Sequence, residues 1–352
     1  MRRRAVRLTK VFSVVVVVCL MLIAGLVYRQ VQNIQRFFDS SRSGRVMEAN
    51  IHGPLSGYYV DFSARYRERH PFDARGVPLL MKDGETYYHP VLISEWALGA
   101  YEHFLKTGDT TARRSFLIAA DWLKTNLRTH GAFQYWEYTL PLPAVPAPWV
   151  SALAQGEGTS VLLRAYVATG DKAYLDTASK AVAPIFYDVG VGGASIVKGA
   201  DYIFPQEYPG QWNRRNVLNG AIGAYFGVHD YYRVTQDSRV EKIDHQIRTT
   251  LRDSLGHYDT GYWSIYSQPP SSLASPHYQL QHARLLTILY SMSGEPTFLD
   301  FAERFDRQRR DSSNITKYVV QSHVARLRNL SSEDVRRVPE KLWRVVVGRE
   351  PL

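Results

Sequence analysis

A chain of 352 residues, 45% of them hydrophobic, has the material for one large domain or two modest ones. Its formal charge of +10 suits an anionic partner such as an acidic glycan, nucleic acid or lipid head groups, without choosing among them. The single cysteine, Cys19, excludes an intramolecular disulfide and any cysteine-based metal centre, so stability has to come from packing.

The N-terminus opens with a basic cluster, Arg2, Arg3, Arg4, Arg7 and Lys10, followed over residues 11–28 by the uncharged run VFSVVVVVCLMLIAGLVY. That run is near the minimum length for crossing a bilayer as a helix. Positive charge before it predicts a cytoplasmic tail over residues 1–10 and an extracytoplasmic body, in a periplasm, at a cell exterior or in a Golgi lumen. No small-x-small cleavage site follows, which favours a single-pass signal anchor over a removed signal peptide. Residues 29–50 are polar and read as a stem. Residues 51–89 mix Tyr, Gly, Pro and charge, and predict irregular structure with short strands or hairpins.

From Pro90 the pattern becomes helical. VLISEWALGAYEHFLKTGD places Leu92, Trp96, Leu98, Tyr101 and Leu105 near one helical face and breaks at Gly108-Asp109. ARRSFLIAADWLKTNL follows as a second helix. The unit recurs three times, with turns beginning at Thr107, Thr169, Thr235 and Ser293. The expected fold is mainly α: an incomplete (α/α) toroid of about four helical hairpins over residues 90–312, with a C-terminal extension over 313–352. A binding scaffold built from the same hairpins has no need of aromatic loops such as GAFQYWEYTLPLPAVPAPW and DYIFPQEYPGQWNRRN.

Residues suited to chemistry gather at the hairpin starts, hence at one end of the toroid. Trp136 lies in an aromatic loop fit for stacking on pyranose rings. Gln155 and Glu157 open the second hairpin. Glu207 and Tyr208 lie in FPQEYP. Tyr258 begins YDTG, with Tyr266 soon after, and SPHY carries His277 and Tyr278, with His282 a helical turn beyond. His277 and His282 lack the carboxylate partners and spacing of a zinc helix, and no Gly-rich phosphate loop or serine elbow is present, so neither metal nor cofactor is expected. These residues alone leave open a uronate epimerase, a polysaccharide lyase, a glycoside hydrolase using two of Glu137, Glu157 and Glu207, or a glycan-binding module.

WVSALAQGEGTSVLLRAYVATGD, QEYP, VLNGAIGAYFGVHDYY, LGHYDTGYWSIY and HYQLQH, in that order and preceded by GVPLLMKDGETYYHPVLISEWALGAY, resemble the catalytic domain of D-glucuronyl C5-epimerases over roughly residues 75–310. The resemblance implies conversion of D-glucuronate to L-iduronate within an acidic, heparosan-like polysaccharide. It implies that Glu207, Tyr208 and Tyr258 move the C5 proton with Tyr278 in support, and that Tyr88, Trp136, Gln155, Arg215, Asn219 and His282 contact substrate. A tyrosine base, with an unperturbed pKa of about 10, needs a cation or strong hydrogen bonds nearby. Lys198, Arg214, Arg215 and Arg284 are the cations considered for that task. The expected partners are the polysaccharide and, through the N-terminal helix, a membrane, without nucleic acid; a homodimer is left open. The chain departs from the family in two places. FLKTGDTTARRSFLIAADWL joins the first two helices without the β-rich insertion of the animal enzymes. Ser275 or Pro276 stands where a basic residue precedes the last tyrosine, and Tyr278-Gln279 replaces a Tyr-His pair. These bear on substrate choice, including any need for N-sulfate.

Overall fold

The computed structural model describes residues 2–41, 45–142, 145–210, 215–268 and 271–328. The chain divides into two units, residues 42–305 and residues 1–41 with 306–352.

In the smaller unit one continuous helix, α1 (Arg2–Ser40), runs through the basic cluster, the apolar run and the first part of the stretch read as a stem. Within Val17–Ser40 an 18-residue stretch reaches a mean hydropathy of 1.5, and the segment is long and apolar enough to cross a membrane. Leu20, Met21, Leu22 and Ile23 are exposed, whereas Val31, Ile34 and Phe38 further along are buried. This second half packs on α11 (Ser312–Arg328). Gln35 Nε2 donates to Ser312 Oγ at 2.8 Å, and Arg309 lies over the Phe38 ring at 5.3 Å.

The larger unit contains the four hairpins, the last as far as Phe305: α3 (Pro90–Thr107) with α4 (Thr110–Thr125), α5 (Ala152–Thr169) with α6 (Lys172–Val182), α7 (Leu218–Thr235) with α8 (Ser238–Ser254), and α9 (Pro276–Ser293) with the first part of α10 (Pro296–Arg310). Their turns share one chemistry. Thr107, Thr169, Thr235 and Ser293 each donate a hydroxyl hydrogen bond to the carbonyl four residues back. Each also accepts the backbone N–H of the acidic residue two positions on. The residue between stops the first helix in the left-handed region, at φ 73° for Gly108, 75° for Gly170, 53° for Gln236 and 69° for Gly294. Asp109, Asp171 and Asp237 then cap the following helix by accepting an N–H two residues ahead. Gln236 occupies this conformation without glycine's freedom.

The first helices of the hairpins form the inner layer. α5 and α7 touch backbone to backbone: a Cβ on Gly227 would stand 2.2 Å from the Gly156 carbonyl oxygen. The second helices bury one face only, as Phe116, Ala119, Ala120 and Leu123 of α4 do.

Short strands link the hairpins. A two-residue turn at Asp83-Gly84, both at positive φ, closes β1 (Leu80–Lys82) on β2 (Glu85–Tyr87). β3 (Arg128–His130) pairs with β4 (Phe133–Tyr135), and β5 (Ser195–Lys198) with β6 (Tyr202–Pro205). β8 (Ile265–Gln268) lies between β7 (Asn216–Val217) and β9 (Ser272–Leu273). The segment before the toroid, carrying the short helix α2 (Ser63–Arg67), is tied in by a buried ion pair. Arg164 Nη1 lies 2.5 Å from Asp230 Oδ2, and its Nη2 donates to the Gly57 carbonyl at 2.9 Å.

Candidate functional site

The inner helices surround a cleft of about 340 Å³, each contributing its N-terminal half. Glu95 comes from α3, Glu157 from α5, Asn219 and Gly223 from α7, and Tyr278 and Gln281 from α9. Arg65 of α2 and the loop residues Tyr138, Trp149, Glu207 and Tyr208 close it.

Glu207 is delivered by the turn after β6. The neighbouring Gln206 fixes that turn: its N–H donates to Ala194 O at 2.8 Å, its carbonyl accepts the Ala152 N–H at the start of α5 at 3.1 Å, and its Nε2 donates to Asn216 Oδ1 at 2.8 Å. The Glu207 carboxyl then rests on α7 where Gly220 leaves room; a Cβ there would meet Oε2 at 2.4 Å. Oε2 is sealed from solvent without a hydrogen-bond partner. Burial pushes the acid up to about 7, against the lowering effect of a hydrogen bond from Tyr208. Burial, then the Glu207 charge and hydrogen bond, raise Tyr208, whose ring lies 5.6 Å from that of Trp149.

Two further tyrosines complete this group. Pairing of β7 with β8, Asn216 to Gln268 and Val217 to Ser267, holds β8 against the start of α7. Tyr266 of β8 thereby meets Tyr278 at the start of α9, with ring centroids 4.6 Å apart and planes at 38°. Tyr266 also acts on the acidity of both Tyr208 and Tyr278. Burial and then the Glu207 charge raise both Tyr266 and Tyr278. A proton at any of these four groups is therefore part of one connected set. Tyr266 belongs to it although the catalytic expectation fell on Tyr258. The available signal was the short strand-turn-strand pattern just before SPHY, which forces residues 265–268 back towards the last helix.

A second set of charges lies in the same cleft. Arg65 Nε pairs with Glu95 Oε2 at 2.9 Å, and its Nη1 with Glu68 at 3.2 Å. Glu157 is 5% exposed and its Oε2 has no partner. Burial, then repulsion from Glu95, raise Glu157 well above the usual carboxyl range. His89 accepts the Leu92 N–H at Nδ1 and, lowered by burial to about 4, is neutral with its proton on Nε2. Tyr138 stacks on Trp149 at 3.8 Å and 5°. Among the described residues no group of three or more His, Cys, Asp or Glu is placed to hold a metal ion.

Of the residues expected at the site, Glu157, Glu207, Tyr208, Asn219, His277 and Tyr278 line the cleft; Asn219 leaves its Oδ1 unpartnered there. The structure does not bring the others to it. Tyr258 is 1% exposed and donates its hydroxyl to the Asn216 carbonyl at 2.9 Å, the arrangement of a buried structural tyrosine. Trp136 is fully buried under Gly158 and donates to the Leu123 carbonyl, so it offers no face to a sugar. Gln155 spends its amide on the Trp136 N–H and the Gln134 and Ala181 carbonyls. His282 is buried against Ser264 Oγ at 2.9 Å and lowered by burial to about 3. Tyr88 stacks on Trp122 at 5.1 Å and donates to Asp73. Arg215, Lys198 and Arg284 are not among the lining residues. Arg214 lies outside the described residues. The guanidinium in the cleft is that of Arg65, from a segment whose sequence carries no motif. Glu137 pairs with His130 at 2.7 Å away from the cleft.

An inner layer of helix N-terminal halves around an acid-and-tyrosine cleft defines a class, the α/α-toroid proteins, here with a carbohydrate-epimerase domain. The structure of cellobiose 2-epimerase from Bacillus thermoamylovorans shares this fold with a TM-score of 0.53 and 11% identity, over 78% of this chain and 85% of that one. The family model for the D-glucuronyl C5-epimerase C-terminus matches residues 124–307, more than half of the chain, and the chain belongs to that family. D-glucuronyl C5-epimerase of Caenorhabditis elegans is 29% identical over 188 residues, 49% of this chain and 28% of the nematode protein. An uncharacterized protein of Methanocaldococcus jannaschii is 29% identical over 178 residues, 49% of this chain and 57% of the archaeal one. The chain thus spans well under two thirds of the length of either relative.

Proposed function

We propose that this protein inverts C5 of D-glucuronate residues within an acidic, heparosan-like polysaccharide. The observation that carries the reading is the group Glu207, Tyr208, Tyr266 and Tyr278, of which Glu207, Tyr208 and Tyr278 line the cleft, with the Glu207 carboxyl raised by burial to about 7. Inversion requires one group to remove a proton from one face of the sugar and another to return it to the other. A carboxyl poised near neutrality takes a proton and gives it back at little cost in either direction. Glu207 reaches the cleft from the turn after β6, whereas Tyr266 and Tyr278 come from β8 and α9. In this reading a sugar bound between Glu207 and Tyr278, both of which line the cleft, meets proton-carrying groups from two different elements. Tyr208 relays between the two, and Asn219 offers a carbonyl to a sugar hydroxyl. Tyr258 holds the Asn216 strand in place and has no part in proton transfer.

Removal of C5–H leaves charge on the uronate carboxyl, which the site must neutralise. A polysaccharide lyase shares this first step and then expels the C4 substituent. Incubation of the full chain with heparosan in deuterated water separates the two. The expected result is deuterium at C5 together with iduronate. Unsaturated uronate ends absorbing in the ultraviolet overturn the epimerase reading in favour of the lyase. In this proposal α1 anchors the protein with its basic end in the cytoplasm and the cleft outside.

A further inference from the structure

We propose that Glu157 is the residue that recognises the substrate's carboxylate, as a protonated carboxylic acid that donates a hydrogen bond to it, and so selects uronates over neutral hexoses. The inference rests on the reading of the cleft as a uronate site and adds to it how the uronate charge is met.

A carboxylate entering this cleft finds no uncommitted cation among the described lining residues. Arg65 is the guanidinium there, and Glu95 at 2.9 Å and Glu68 at 3.2 Å already share it. Taking it from them would strand a buried carboxylate, which is costly. His89 and His277, which also line the cleft, are both lowered by burial and carry no charge near neutral pH. The ligand's charge must therefore be met by protons on neutral donors.

Glu157 is placed for this. It stands on the first turns of α5 and lines the cleft, with its Oε2 sealed from bulk water and unpartnered. Gly223 of α7 lies beside it with Leu153 packed into the same space: a Cβ on Gly223 would be 2.4 Å from Leu153 Cδ1 and 3.9 Å from Glu157 Oε1. The groups around it are Tyr58 ahead of α2, Arg65 on α2, Glu95 on α3, Tyr138 after β4, Glu207 after β6, and His277 and Tyr278 on α9. Three carboxyls and one guanidinium in a closed space favour at least one neutral acid, and burial with repulsion from Glu95 makes Glu157 that one. An acid–carboxylate hydrogen bond is short and about twice as strong as one between neutral groups. A hexose, with a hydroxymethyl group in place of the carboxylate, cannot form it.

The test uses the full chain and two probes, a hexasaccharide of alternating glucuronate and N-acetylglucosamine, and the same hexasaccharide with its carboxyls reduced. Calorimetry from pH 5 to 10 reads affinity, and deuterium uptake at C5 reads chemistry. The native chain is expected to bind the uronate probe at least about tenfold more tightly than the reduced one. That preference should vanish on the alkaline side as Glu157 loses its proton. Glu157→Gln keeps shape but cannot ionise, so its preference should be weaker at neutral pH and flat through the alkaline range. If Glu157→Gln does not fold, Glu157→Asp serves: the withdrawn acid should lose affinity for the uronate probe alone. The proposal is overturned by superimposed pH profiles for native and variant chains, by equal binding of both probes, or by an equal loss on both in the Asp variant. Uronate binding with the expected profile but no C5 exchange would instead sink the epimerase reading and leave the acid–carboxylate site standing.

Discussion

The rings of Tyr266 and Tyr278 stand 4.6 Å apart, although they lie twelve positions apart in the chain with a strand hairpin between. Tyr266→Phe keeps the ring against Tyr278 and removes the hydroxyl that acts on Tyr208 and Tyr278. Turnover on a uronate polymer should fall by about 10²-fold or more, the usual worth of a general acid–base group, with melting temperature little changed. Tyr258→Phe is the comparison. It should lose about 1 kcal/mol of stability with the Asn216 hydrogen bond and keep most of its activity. The opposite ranking of the two variants would remove Tyr266 from the mechanism.

Gly220 sets where the Glu207 carboxyl sits. Gly220→Ala places a Cβ that would be 2.4 Å from Oε2 and 2.9 Å from the Glu207 Cβ. Either the turn after β6 or α7 must shift, at about 1–3 kcal/mol. Turnover should drop while binding of the polymer persists. Unchanged kcat in a folded Gly220→Ala protein would show that the carboxyl position is not critical.

Glu207 links pH to both activity and stability. As a base it must be ionised, so kcat should rise with pH through about 7. For stability the sign is reversed. Its folded pKa lies above the unfolded carboxyl value, so the folded chain holds the proton more tightly and stability is lost as pH climbs from about 4.5 to 7. At about 1.4 kcal/mol per unit the loss is of the order of 3 kcal/mol. Glu207→Gln should therefore melt higher than the native chain at pH 8 and close to it at pH 4, while being inactive. Equal melting at pH 8 would contradict the burial assigned to this acid.

The Arg164–Asp230 pair ties residues 57–62, and with them the cleft residues Tyr58 and Phe62, to α5 and α7. Arg164→Ala removes the nearer guanidinium from buried Asp230, with Arg233 left at 3.7 Å, and should cost about 3–5 kcal/mol. Denaturant unfolding measures this. A loss below 1 kcal/mol would mean that water replaces the guanidinium without difficulty.

The helical hairpins were legible because they depend on local chemistry. The recurring Thr-Gly-Asp pattern names a hydroxyl, a left-handed stop and a cap within three residues, and each does its part where expected. Glu207, Tyr208, Tyr278 and Asn219 were legible because short motifs carry them to hairpin starts. Tyr258 and Tyr266 were harder to tell apart. Both lie in LGHYDTGYWSIY, and only the pairing of β8 with β7, a contact between distant segments, decides which one meets Tyr278. Trp136 and Gln155 have the composition of a sugar platform, yet their burial follows from the packing of α5 and the loop against it. Arg65 and Glu95 gave no local signal, because their pairing spans two elements and neither stands in a motif.

The arrangement of the inner helices has an electrostatic consequence. α3, α5, α7 and α9 all turn their N-terminal halves to the cleft, and each such end carries roughly half a positive charge from its aligned peptide dipoles. A cleft whose ionisable side chains are acids, neutral histidines, tyrosines and one arginine already paired with Glu95 is thus lined by a positive backbone field. That field is part of the fold: no protonation event can switch it off, no rotamer change can withdraw it, and substitution of a single side chain leaves it in place. An anionic sugar can be drawn to such a floor while every titratable side chain around it stays free to exchange protons.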